Sequence, residues 1–201
     1  MTMTTRKQIR TSMRSMRRSL PPAFLSQASL SLKQQLIALP ELRCANKVAL
    51  YLANDGELDP YATIRWLWEA GIQTFIPVLH PFAKGQLLFL RFTEDTELVT
   101  NRYGIAQPKL DIRDICPVAQ LDIIFTPLVA FDHQGQRLGM GGGYYDRTLA
   151  PFTGCLNPIA IGLAYDEQQL TSLPTEAWDI PLSKIVTPTR VLHGKNHDVN
   201  D

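Results

Sequence analysis

The sequence predicts an α/β fold in three layers: a largely parallel central sheet with helices on both faces, entered through an N-terminal pair of helices. Three observations predict it. Short apolar runs of strand length alternate with stretches of helical spacing. The first forty residues carry helical periodicity and no strand-like run. The chain has 201 residues, of which 45% are hydrophobic and 19% charged. That is enough to bury one sizeable core without staples, so residues 1–201 read as a single domain.

Residues 6–20 are predicted as the first helix, because Ile9, Met13, Met16 and Leu20 recur at steps of four, three and four. Arg6, Arg10 and Arg14 rise along a neighbouring face, one turn apart. Pro21 and Pro22 end that helix and permit another to start. The second helix is predicted over residues 22–38, with Leu25, Ala28, Leu32 and Leu36 inward and Pro40 closing it. Strand candidates follow at 47–52, 74–78, 87–92, 121–125 with an extension over 128–131, 159–163, 185–186 and 190–192. Asp59 and Pro60 read as an N-cap and first helical residue, with Ile64, Leu67 and Trp68 on the inner face and Gly71 as the stop. A further helix is expected from Gly143 to Leu149, and residues 193–201 read as a flexible polar tail.

Charge is distributed unevenly. The formal net charge is +1, yet residues 1–40 hold seven basic residues and no acid. The remainder carries 13 basic and 19 acidic residues, so a basic helical arm precedes an acidic body. No apolar run approaches the roughly 18–20 residues of a membrane span, and no secretory signal pattern is present. Cys44, Cys116 and Cys155 are far apart and unpaired in spacing, which suits free thiols in a reducing compartment, the cytoplasm. The four histidines form no ligand motif; His193 and His197 fall in the expected tail.

The segment Arg137-Leu138-Gly139-Met140-Gly141-Gly142-Gly143-Tyr144-Tyr145-Asp146-Arg147 is the most unusual in the chain. Its glycines free the backbone for positive φ and close ligand approach. Successive N–H groups in such a loop, backed by a helix start, form an anion nest. Arg137 and Arg147 bracket it with groups suited to phosphate, and Asp146 stands where a carboxylate could hold a hard cation. The reading from residues alone is a polyphosphate cradle; a glycine turn between two strands is the alternative. Neither the Walker phosphate loop nor the dinucleotide fingerprint fits, since the first needs Gly-Lys-Ser/Thr and the second needs glycine where Tyr144 stands.

This block, with Pro127–Asp132 and Gly135 before it, strongly resembles the signature of the 5-formyltetrahydrofolate cyclo-ligase (methenyltetrahydrofolate synthetase) family. The resemblance extends over most of the chain, through Gly56–Asp59, Tyr103–Pro108 and Asp179–Thr187. It implies an ATP- and Mg²⁺-dependent conversion of 5-formyltetrahydrofolate to 5,10-methenyltetrahydrofolate, with release of ADP and phosphate. It also implies roles by position. Arg6, Lys7 and Arg10 would reach the ATP phosphates, and Arg137, Leu138, Gly139, Met140, Gly141, Gly142, Gly143, Tyr144 and Tyr145 would wrap the nucleotide. Leu52, Glu57 and the stretch Met140 to Tyr144 would face the folate. Asp146 and Asp179 would hold Mg²⁺, with Arg10, Arg137 and Tyr144 at the chemistry. Glu57 read without the family is equally a solvated loop acid. Three positions depart from the family pattern: Arg6 stands for a usual lysine, Pro60 for a common threonine, and Trp178 for a polar residue before Asp179.

The expected partners are therefore small molecules, with no nucleic acid and no membrane, acting on a monomer. Three other accounts compete. The arginine- and serine-rich start also describes an organelle transit peptide. A basic arm also suits a nucleic-acid-binding module. A sugar-phosphate or CoA-type enzyme would share the architecture by fold analogy.

Overall fold

The computed structural model describes residues 5–194. Helix α1 spans Arg6–Arg18, and Thr5 caps it in a reciprocal box with Gln8. The Gln8 amide donates to Thr5 Oγ1 at 3.2 Å, and the Thr5 amide donates to Gln8 Oε1 at 2.7 Å. Helix α2 spans Pro22–Ala38 and buries Ala28, Leu32 and Leu36 at the expected spacing. Pro40 does more than end α2: it opens a short helix α3, Pro40–Cys44, as proline at a first helical position can. Helix α4, Tyr61–Glu69, starts one residue later than expected. Asp59 Oδ1 still accepts from the Tyr61 amide at 2.9 Å.

Eight strands form the main sheet: β1 Lys47–Ala49, β2 Gln73–Leu79, β3 Leu87–Phe92, β6 Ile115–Cys116, β7 Ile123–Pro127, β10 Ile159–Leu163, β11 Lys184–Val186 and β12 Val191–His193. Their order is β12-β11-β10-β7-β1-β2-β3-β6. The middle five, β11 to β2, are mutually parallel; β12, β3 and β6 add on in antiparallel sense. The sheet is thus parallel at its centre and mixed at its edges, because β3 and β12 return through short turns that allow only antiparallel pairing.

Alternate residues of the central strands enter two different cores. Val48, Leu50, Ile76, Ile123 and Phe125 join α2 and α4 residues on one face. Ala49, Phe75, Phe89 and Ile124 join Leu149 on the other, at the end of helix α5, Tyr144–Leu149. Period-two alternation with both faces apolar explains why these strands read as continuous hydrophobic runs.

Four further strands lie outside the main sheet. Strands β4 (Leu98–Thr100) and β5 (Ala106–Pro108) form one hairpin. Strands β8 (Ala130–Phe131) and β9 (Arg137–Leu138) form another. The expected extension of β7 over 128–131 is therefore a separate hairpin. Its turn is held by the buried Asp132, whose Oδ1 accepts from the Gln134 and Gln136 amides. The hairpin's purpose is positional: β9 ends where Gly139 begins.

The first strand is shorter than expected, ending at Ala49, and the last is shifted one residue onward, to Val191–His193. His193 pairs with Lys184 in β12, and the Gly194 amide donates to Ser183 O at 2.9 Å, so the polar tail does not begin at 193. Residues 195–201, including His197, lie outside the described residues. Among the described residues no helix is long and apolar enough to cross a membrane.

The seating of α2 is open to direct test. Leu36 is fully buried against the sheet. Leu36→Ala is expected to lower unfolding free energy by about 3 kcal/mol in urea titrations. A loss under about 1 kcal/mol would show that α2 does not seat there.

Candidate active site

Two loops leave the carboxyl ends of adjacent strands. Residues 50–60 follow β1, and the β8–β9 hairpin with the glycine loop follows β7; β1 and β7 pair through Val48 and Ile123. The chain runs from β1 to β2 on one side and later returns to β7 on the other. That reversal creates the crevice in which open α/β sheets take ligands. Helix α1 crosses this end of the sheet, with Ile9 packed on Ala130 and Leu138.

The basic helix and the glycine loop meet. Arg10 Nε donates to Gly139 O at 2.8 Å, across 129 positions of sequence. A Cβ at Gly141, where φ is +100°, would lie 3.4 Å from the Arg10 guanidinium carbon. Burial and the neighbouring Arg6 charge both lower the Arg10 pKa. Arg6 makes a two-point ion pair with Asp179, its Nη2 lying 3.0 Å from Oδ1 while Nη1 meets Oδ2. The side chain of Asp179 is largely buried, and Arg6 holds its carboxyl below the usual range against the opposing effect of burial. Lys7 is exposed and contributes only its carbonyl, which accepts from the Thr11 hydroxyl at 3.1 Å.

Arg137 is buried, and its Nη2 donates to Asp146 Oδ1 at 2.5 Å. Its Nε is buried with no partner among the described residues. Burial pushes the Arg137 pKa down. A desolvated guanidinium with an idle donor is a costly arrangement that an anion would relieve. Asp146 sits in the first turn of α5, just past Gly143, the left-handed N-cap with φ +63°. Arg147 Nε donates to Gly85 O at 3.0 Å and its Nη2 reaches Gly142 O, so one guanidinium ties the glycine loop to the loop after β2. Leu138 is buried, whereas Met140, Gly141 and Gly142 are exposed.

Tyr144 lies at the mouth. Its hydroxyl is 2.9 Å from that of Tyr103, at the tip of the β4–β5 hairpin, and accepts from Arg102 Nη2 at 3.3 Å. Hydrogen bonding from Tyr103 and Arg102 lowers its pKa. Burial raises the pKa of Tyr145.

On the β1 side, Leu52 packs half-buried against the main core. Glu57 closes a turn begun at Asn54, whose amide donates to Glu57 Oε2 at 3.1 Å. Some of the residue's surface stays accessible, yet its carboxyl is enclosed by protein, and burial raises its pKa to about 7. The Tyr145 pKa is raised further by the Glu57 charge, so these two predicted residues share one electrostatic environment across the crevice.

Sequence reasoning missed the residues that fasten this assembly. Arg17 has a fully buried side chain where the spacing expected Met16 inward; Met16 is only half-buried. Asp55 receives three arginines of α1: Arg14 Nε at 2.6 Å, Arg17 Nη2 at 3.4 Å and Arg18 Nε at 2.5 Å. The sequence carried only a partial signal: three arginines at i, i+3 and i+4 on an acid-free helix have no counter-charge on that helix, but nothing in the spacing names the partner. A hollow of about 370 Å³ lined by Thr11, Arg14, Ser15, Arg18 and Ser19 lies on α1, away from the glycine loop.

Fold and site together define an enzyme that handles a small molecule at the carboxyl ends of parallel strands. Comparison with known proteins makes this specific. The chain belongs to the 5-formyltetrahydrofolate cyclo-ligase family, whose model matches residues 2–188, and it is a ligase of that kind. It is 48% identical over 181 residues to the 5-formyltetrahydrofolate cyclo-ligase of Haemophilus influenzae, covering 90% of this chain and 96% of that one. It is 47% identical over 178 residues to the Escherichia coli K12 protein of the same name, covering 89% and 97%. The solved 5,10-methenyltetrahydrofolate synthetase of Aquifex aeolicus superposes with a TM-score of 0.81 at 27% identity, over 98% of this chain and 96% of that one.

The raised pKa of Glu57 has a measurable consequence. Its ordinary value is 4.5 and its folded value about 7. Between them the folded protein keeps a proton that the unfolded chain has lost, so this group lowers stability as pH rises from about 5 to about 7. Urea unfolding at pH 5, 6 and 7 should show that decline in the parent and a flatter profile in Glu57→Gln. Identical slopes would place the Glu57 carboxyl in water.

Proposed function

We propose that this ligase converts 5-formyltetrahydrofolate to 5,10-methenyltetrahydrofolate with consumption of ATP and release of ADP and phosphate. The observation that carries the reading is the contact of Arg10 with Gly139, which sets a cationic helix against a glycine loop that also holds the buried Arg137. Within this family, such a convergence suits a polyphosphate.

A formamide carbon is a weak electrophile and its oxygen a poor leaving group. Transfer of the γ-phosphoryl to the formyl oxygen answers both needs: the bond to ADP breaks and a carbon-bound phosphate ester forms. The second folate nitrogen then attacks the formyl carbon and loses its proton. Phosphate departs with the carbon–oxygen bonding pair, leaving the methenyl bridge. No protein nucleophile enters. The demand on the protein is alignment and charge neutralisation. We assign Arg6, Lys7, Arg10, Arg137 and the N–H groups of Leu138 to Tyr145 to the nucleotide, with Arg10, Arg137 and Tyr144 nearest the transferring group. We assign Leu52, Glu57 and Met140 to Tyr144 to the folate. Glu57, poised near pH 7, gives up its proton when pterin N–H donors arrive, since two such bonds favour the carboxylate.

The carboxylates fit Mg²⁺. Asp146 Oδ2 accepts no hydrogen bond from the described residues, while both Asp179 oxygens are taken by Arg6 and the Glu176 amide. No cluster of three or more ligating side chains exists among the described residues. One or two carboxylates completed by substrate phosphates is an ordinary Mg²⁺ donor set. Asp146 would be the first protein ligand and Asp179 the second; the ion would offset charge on the transferring phosphoryl.

The same reading makes the protein a single-domain cytoplasmic monomer with small-molecule partners, not nucleic acid or membrane. Supporting it, Arg14, Arg17 and Arg18 are all paired with Asp55, so the second half of α1 offers little free charge to a nucleic-acid backbone.

Purified protein mixed with ATP, Mg²⁺ and 5-formyltetrahydrofolate should produce methenyl-folate absorbance. A folded protein giving no signal overturns the proposal. Asp146→Asn should raise the Mg²⁺ concentration for half-maximal rate on the order of tenfold or more. An unchanged requirement rejects Asp146 as a ligand.

A further inference from the structure

The turn Asn54–Glu57 places two consecutive residues at positive φ, Asp55 at 53° and Gly56 at 73°, and closes with Glu57 N donating to Asn54 O at 3.0 Å. Only a short polar residue and a glycine adopt that pair readily. The turn is pressed against the end of α1. A Cβ on Gly56 would meet the Arg17 carbonyl carbon at 3.1 Å and its oxygen at 3.2 Å. On the other flank, Asp55 gathers Arg14, Arg17 and Arg18. Arg17 also donates through Nη1 to Leu128 O at 3.3 Å, which ties the cluster to the segment just after β7.

One helix is thereby pinned at three points near the crevice: Arg6 to Asp179, Arg10 to Gly139, and its last turn to Asp55. The third point lies two residues from Glu57. We propose that Asp55 is a positioning residue for the reaction: by clamping the last turn of α1 to the Asn54–Glu57 turn, it fixes Glu57 relative to Arg10 and so sets the distance between the folate and phosphate subsites. This rests on the proposed folate reading. Asp55 touches neither substrate in it.

The geometry gives the reason for a single carboxylate with three partners. Arg17 is fully enclosed, and a buried guanidinium without a counter-charge is strongly disfavoured. The helix end therefore cannot move away from Asp55 without exposing or stranding Arg17. Arg14 and Arg18 reach the same two oxygens from the solvent side and restrict rotation of the carboxylate. The clamp is stiff because its centre is dry and its rim is doubly bonded.

The test compares three variants. Asp55→Asn keeps the size and the tolerance of positive φ while removing the charge. Asp55→Glu restores the charge one methylene further out. Leu36→Ala destabilises the fold from inside the α2 core and serves as the structural control. For Asp55→Asn, kcat/KM is expected to fall about 10²-fold, the scale of a misplacement near 1 Å. KM should rise for folate and ATP together, and Asp55→Glu should recover part of the loss. Leu36→Ala should leave both KM values within twofold. Normal KM values in folded Asp55→Asn, or an equal rise in Leu36→Ala, overturn the proposal. Amide exchange supplies a readout independent of turnover: Asp55→Asn should accelerate exchange in residues 54–57 and the last turn of α1, with α2 unchanged. Should the parent protein show no folate turnover, the folate reading fails and exchange alone decides the clamp, unchanged protection rejecting it.

Discussion

A helix that carries six basic residues and no acid can pack against a protein only where carboxylates are brought to it. Helix α1 is in that position, and its seating depends on Asp179 from near the C-terminus and Asp55 from the loop after β1. Few apolar groups contribute; Ile9 is buried and Met13 half-buried. The helix is thus oriented by charge more than by hydrophobic area. Ion pairs are directional where apolar contact is not, and that direction aligns Arg10 with Gly139.

Strands β1 and β7 supply the rest of the frame. They are neighbours, parallel and fully buried at Val48, Ala49, Ile123 and Ile124. Everything placed in the crevice hangs from their carboxyl ends by short connections: Glu57 is eight residues beyond Ala49, and Gly139 is separated from Pro127 only by the β8–β9 hairpin. Short tethers on buried strands leave little freedom to the loops. The buried Asp132 in that hairpin is structural in the same sense, accepting from the Leu173 amide as well as from its own turn.

Much of this was legible in the residues. Helix α2 and strands β3 and β10 coincide with their expected ranges because apolar spacing and proline stops act locally. The glycine-tyrosine block announced itself by composition. What escaped was set by distant partners. Strand β9 is only two residues long and exists because β8 lies opposite it, so no periodicity marks it. The apolar spacing of α1 pointed to Met16, not Arg17, as an inward residue; the burial of Arg17 depends on Asp55, 38 positions away, in a turn whose Asp-Gly pair signals shape but not partner. The polar stretch from 193 read as a tail, yet His193 continues a strand because Lys184 pairs with it. Local rules fix elements; the charges that join elements need the fold.

The near-neutral total charge acquires a physical meaning from these pairs. Arg6 and Arg137 each face an aspartate that the proposed reaction would need for Mg²⁺, and each is itself assigned to phosphate. Such a site is self-neutralised before ligands arrive, which avoids leaving buried guanidinium and carboxylate groups unpaired. A nucleotide with its cation likewise carries both signs of charge. In the proposed reading it would present anionic oxygens to the arginines and a positive ion to the aspartates, so each internal pair would exchange one partner for another of the same sign. The cost of breaking Arg137–Asp146 would then be offset in the same event, because both halves would be re-paired together. Phosphate alone would leave Asp146 without its counter-charge, and the metal alone would do the same to Arg137. On the proposed reading, the pairing pattern would therefore favour joint entry of nucleotide and metal over either one singly, through charges that the chain already balances internally.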